Sequence, residues 1–132
     1  MKNAPISQSP RNRYATIMRQ ADSDKLEQAL LTQVKQVGIP TPVRQYKISE
    51  ERGYIWDFAW PNYKLLVEVQ GGTWTQGAHA RPGGITRDCE KLNLAVLHGW
   101  YQLNFTSDMI KKGHAAKTIL RYMEIHQHDD QV

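Results

Sequence analysis

Residues 53–72, GYIWDFAWPNYKLLVEVQGG, constrain the fold more than any other stretch. Both halves are rich in aromatic and aliphatic strand formers, and Pro61-Asn62 between them supplies a turn, which predicts an antiparallel hairpin. Side chains alternate across a strand. One face of the first arm therefore carries Ile55, Asp57 and Ala59, and the other carries Tyr54, Trp56, Phe58 and Trp60. On the second arm Leu66, Glu68 and Gln70 share a face opposite Leu65, Val67 and Val69. A two-residue loop sets Asp57 across from Leu66 with Glu68 on the diagonal, and a four-residue loop sets Asp57 directly across from Glu68. Either register keeps both acids on one side, with Cβ atoms roughly 5–8 Å apart.

Two carboxylates so close repel, and apolar neighbours make their surroundings drier. One acid takes a proton, a basic side chain pairs with them, or a divalent cation lies between them. Hard cations such as Mg²⁺ favour carboxylate oxygens completed by water and phosphate oxygens.

The rest of the chain supplies a frame for the hairpin. Asp22 or Ser23 caps a first helix with Leu26, Leu30, Val34 and Val37 at helical spacing, ended by Gly38 and Pro40. Residues 43–48 form a short strand. A glycine-rich loop follows the hairpin from Gly71 to Gly84. A second helix over 85–97 carries Ile85, Cys89, Leu92 and Val96 on one face as its core stripe, and His98-Gly99 ends it. WYQLNFT is a last strand. Thr106 or Ser107 caps a final helix that turns Ile110, Ile119, Tyr122 and Met123 inward. The expected class is α/β, in the order α-β-β-β-α-β-α, with helices on both faces of a mixed sheet. The expected boundaries are a basic arm over 1–21, one domain over 22–125 and a polar, frayed tail over 126–132.

The chain has 132 residues, which suits one core. Its 17 Lys and Arg against 13 Asp and Glu, a formal charge of +4, favour a polyanionic partner without identifying one. The single cysteine, Cys89, excludes an internal disulfide, and it reads as a small core residue. The expected compartment is the cytoplasm, since no apolar run suits a signal peptide or a membrane span.

The hairpin with WDFAW and LLVEVQGG, its glycine-rich loop and the run RDCEKLNLAVLHGWYQLNFT resemble the PD-(D/E)XK nuclease superfamily. The likeness is greatest to its small single-domain branch, which includes very-short-patch-repair-like endonucleases, and it covers residues 24–122. It implies a restriction-endonuclease-like core, in a bacterial or phage-encoded protein. The implied activity is Mg²⁺-dependent hydrolysis of DNA, with Mn²⁺ able to substitute, on double-stranded, branched, nicked or mismatched substrates. Asp57 becomes the first metal-binding acid and Glu68 the second, with Glu27 of the first helix turned toward the metal. Gln70 stands where the motif usually has lysine. Lys91 of the second helix is the candidate to fill that lysine's space, the alternative being a surface pair with Asp88 worth ~0.2–0.5 kcal/mol. His79 is a candidate acid or base. Arg81, Arg87, Arg13 and Lys111 are candidates to meet phosphates. Paired cuts in a duplex would favour a homodimer. The other readings are an inactive DNA-binding module on the same fold, and a structural protein whose acids pair with Lys91 or Arg87.

Overall fold

The structure, a computed structural model, describes residues 10–70 and 83–130. The elements run α1 (Pro10–Gln36), β1 (Val43–Tyr46), β2 (Trp56–Trp60), a 3₁₀ turn (Pro61–Tyr63), β3 (Leu65–Gln70), α2 (Gly84–Leu97), β4 (Tyr101–Thr106), α3 (Ser107–Lys111) and α4 (His114–Asp130). The four strands form one mixed sheet in the order β1-β2-β3-β4. β2 is antiparallel to both β1 and β3, and β3 runs parallel to β4. Parallel neighbours need a crossover, and α2 lies in it.

Hydrophobic residues on the two sheet faces dictate two layers of helix. On one face Phe58, Trp60, Leu65, Val67 and Phe105 pack with Leu30 and Val34 of α1, Ile110 of α3, and Ile119, Tyr122 and Met123 of α4. On the other, smaller face Trp56, Ala59 and Leu66 pack with Leu94 and Ala95 of α2 and with Trp100. The architecture is thus mixed α/β. No helix among the described residues is long and apolar enough to cross a membrane.

Several expectations need correction. The first helix does not begin at Asp22 or Ser23 but at Pro10. Proline is tolerated in the first turn, where its missing N–H would have no helical partner, and no breaker follows it. Tyr14, Ile17 and Met18 are exposed, and so is Val37, expected inside. The last helix is two pieces, separated at Gly113, whose φ of 81° leaves the right-handed helical region. Thr106 caps the first piece by accepting from the Met109 N–H at 3.3 Å. Residues 126–130, expected to fray, continue α4, and the His126 ring stacks on Tyr122 with centroids 4.1 Å apart.

The stripe of α2 expected in the core is turned outward. Ile85, Cys89, Leu92 and Val96 are all exposed, while Leu94 and Ala95 reach the sheet. The small Ala95 lets the helix come close to Ala59 and Leu66, and the apolar periodicity alone did not identify that side.

Alternation also fails in the hairpin. Trp56 belongs to the α2-side cluster with Ala59, whereas Phe58 and Trp60 belong to the opposite one. The neighbouring strand flips with it. Arg44, paired with Phe58, lies over that ring, while Tyr46, paired with Trp56, packs on Trp100. Gln45 between them has a positive φ of 52°, a conformation that costs a non-glycine residue about 1–3 kcal/mol and gathers at functional positions. Asp57 sits at the corresponding point of β2.

Candidate active site

The hairpin closes over four residues, with Trp60 paired to Leu65, Ala59 to Leu66 and Phe58 to Val67. Lys64 makes this possible by taking a positive φ of 54° and donating its N–H to the Pro61 carbonyl at 3.0 Å. One step further along this register, Asp57 stands opposite Glu68. The backbone pairing stops there and the carboxylates take its place. The Asp57 N–H donates to Glu68 Oε1 at 3.1 Å, and the Val69 N–H donates to Asp57 Oδ2 at 2.7 Å. Each acid is oriented by the other strand's backbone.

Lys91 comes to them from α2, an outcome the surface pairing with Asp88 did not require. Its Nζ donates to Glu68 Oε2 at 2.6 Å and to the Ile55 carbonyl at 2.7 Å, and it lies 4.9 Å from the centre of the Trp56 ring. Both side chains of this ion pair are only 16% exposed, so bulk water screens them weakly. Arg87, the other cation considered for this role, is exposed.

On the far side Glu27 is buried, and Arg44 donates to its Oε1 at 2.6 Å. Burial raises the Glu27 carboxyl above its ordinary value in spite of this bond, and the charge of Asp57 adds to the rise. Burial likewise pushes the Asp57 carboxyl up, the charge of Glu68 pushes the same way, and the Val69 N–H, Lys91 and Arg44 offset this in part. Glu27, Asp57 and Glu68 are thus three acids served by two cations, Arg44 and Lys91. Arg44 carries no motif in its strand, so sequence reasoning had no signal for it.

Gln70 lies two residues past Glu68, half-buried. Glu68, Gln70, Asn104 and Thr106 of the sheet face Ile85 and Leu92 of α2 across a cleft of about 370 Å³. Ile85, Cys89 and Leu92 of the outward stripe therefore line the space beside Glu68. Arg13 and Lys111 are exposed. His79 and Arg81 lie outside the described residues.

No group of three or more His, Cys, Asp or Glu side chains able to hold a metal ion forms among the described residues. The donor chemistry of Asp57 and Glu68 nevertheless suits a hard divalent cation. Both offer carboxylate oxygens, Asp57 Oδ1 makes no hydrogen bond among the described residues, and the acids outnumber the cations beside them. Two carboxylates with water and substrate oxygens are a common Mg²⁺ set.

A mixed four-stranded sheet with paired acids at the fork of its hairpin is the class that fold and site define. The chain is 31% identical over 91 residues to two proteins of Mycobacterium tuberculosis, uncharacterized protein MT2308 and uncharacterized protein Rv2248. The match takes in 66% of this chain and 32% of each relative, so the chain spans about a third of the length of the curated relatives it matches. No protein-family model and no solved structure matches it.

Proposed function

We propose that the chain is a metal-dependent endonuclease of the PD-(D/E)XK type, hydrolysing phosphodiester bonds in DNA. One observation carries this reading. Asp57 and Glu68 are held side by side with a single lysine, and Asp57 keeps a carboxyl raised by burial and by its neighbour's charge. A purely structural site explains the Lys91–Glu68 pair but gives no reason for the second acid. The two acids on antiparallel strands, followed by a helix and a parallel strand, are the arrangement the resemblance implies, and restriction-endonuclease-like topology is part of the proposal.

Asp57 and Glu68 would hold Mg²⁺, which when bound supplies Lewis acidity toward a phosphoryl oxygen and acidifies water. Lys91 keeps a positive charge where the scissile phosphate's charge grows, the place the missing motif lysine would fill. Gln70 presents an amide that orients a water but is a poor base. Arg44 holds Glu27 and tempers the field at Asp57. Arg13, Arg87 and Lys111 are available to phosphates along the DNA.

A second reading, an inactive DNA-binding module, draws support from Gln70 and from Glu68, whose two oxygens are already engaged. Supercoiled plasmid and a branched DNA incubated with wild type and Asp57→Ala, in Mg²⁺, Mn²⁺ or EDTA, separate the two. Nicking or cutting that needs both metal and Asp57 is expected. DNA binding without cleavage on any substrate would replace the nuclease with the binding module.

A further inference from the structure

The two edges of the sheet are built differently. β1 has only four residues, carries Arg44 with Lys47 just beyond it, and loses regularity at Gln45, whose φ is 52°. Short length, charge and an irregular backbone are devices that keep an edge from pairing with a foreign strand. β4, the opposite edge, has none of them. Its six residues, YQLNFT, include no charged residue, no proline and no positive φ.

The direction of its free backbone groups follows from the ladder. The Tyr101 N–H donates to the Lys64 carbonyl at 2.8 Å, so Tyr101 faces β3, and Leu103 and Phe105 do the same by alternation. Gln102 and Asn104 therefore turn both N–H and C=O outward, and Thr106, the cap of α3, its N–H. No strand among the described residues pairs with this side of β4. Such a row of groups is a template for one more strand.

The strand suits its own copy. In an antiparallel pair, the register centred on Asn104 engages all three outward residues, Asn104 with the partner's Asn104 and Gln102 with the partner's Thr106. Amide meets amide and amide meets hydroxyl, and no like charges meet along the strand. On the other face the part-buried Leu103 comes opposite the partner's Phe105 and extends the larger core. Tyr101 and Met109 are 55% and 41% exposed, one at the start of the strand and one just past its end, and a two-fold axis sets each end beside the other.

We propose that β4 pairs with β4 of a second copy of this chain, joining two four-stranded sheets edge to edge in a two-fold dimer. Glu68 stands beside Asn104 in the β3–β4 register. The two Glu68 residues then lie in one row on the same sheet face, three strand spacings or roughly 14 Å apart. The interface stands on the strand itself and not on the nuclease reading. Under that reading it gives the dimer one site for each strand of a duplex.

Sedimentation equilibrium of the full chain over a concentration series tests this. Wild type should reach twice the mass of one chain by roughly 50 μM. Asn104→Lys, at an exposed position, sets two like charges face to face. It should raise the dissociation constant about tenfold or more while the far-ultraviolet circular dichroism stays that of wild type. Cysteine linking under copper phenanthroline reads the register, with the native thiol removed by Cys89→Ser. Asn104→Cys should link two chains, since facing Cα atoms lie about 5.5 Å apart. Gln102→Cys, which faces the partner's Thr106, should not. A monomer at every concentration, a dimer that Asn104→Lys leaves intact, or equal linking through positions 102 and 104 would each overturn the pairing of β4, and none of them bears on the metal site.

Discussion

Lys91 serves Glu68 at 2.6 Å, and beside them the Asp57 carboxyl stays above its ordinary value. Holding an ionised Asp57 therefore costs the folded state free energy. The cost is absent at pH below the ordinary value of 3.8 and grows as pH rises through the raised folded value. Glu27 adds the same trend from its ordinary 4.5 upward. Asp57→Asn keeps an acceptor for the Val69 N–H and removes the charge. It should stabilise the protein at neutral pH by about 0.5–2 kcal/mol and flatten the decline of stability above pH 4, read by urea denaturation across pH. A wild-type and variant profile that superimpose would sink this account of Asp57. Lys91→Met should act in the other direction, by about 1–3 kcal/mol, because it strips a weakly solvated carboxylate of its partner. Adding Glu68→Gln to Lys91→Met should recover part of that loss, and a double-mutant cycle measures the coupling.

At the scale of elements, α2 decides how much a reader of the sequence could see. Its apolar stripe predicted the buried face, and the helix instead packs through Leu94 and Ala95. Leu94→Ala should cost about 2–5 kcal/mol in chemical denaturation, whereas Val96→Ala should stay within about 0.5 kcal/mol of wild type. A larger loss from Val96→Ala than from Leu94→Ala would restore the face read from periodicity. The hairpin was far more legible, because aromatic arms and a Pro-Asn turn leave few alternatives. Its register was open between two loop lengths, and the left-handed Lys64 decided it. The placement of Asp57 beside Glu68 survived this choice, since both registers keep the acids together. The flip at Gln45 and Asp57 was invisible, because nothing about a glutamine in a strand announces a positive φ. Arg44 was missed for a related reason. Its role depends on a partner distant in sequence, Glu27, and on no motif. The polar alternation Gln102, Asn104, Thr106 was the one available hint that this face of β4 borders a cleft.

Across the whole molecule, a large core on one face of the sheet anchors the site, and a smaller one on the other carries α2 toward it. The acids sit where the backbone ladder between β2 and β3 stops, at the boundary between these two cores. The side with the larger core supplies Glu27 and Arg44, and the α2 side supplies Lys91 and the cleft. A divalent cation that binds there should add stability, by about 2.7 kcal/mol at roughly a hundred times its Kd. The most direct measurement is calorimetric titration of Mn²⁺ and Mg²⁺ into wild type and Asp57→Asn. Saturable binding by wild type, lost in Asp57→Asn although that variant folds and melts at least as high, is the predicted result. No uptake of either metal by wild type, or equal uptake by the variant, would contradict a metal site at Asp57 and Glu68.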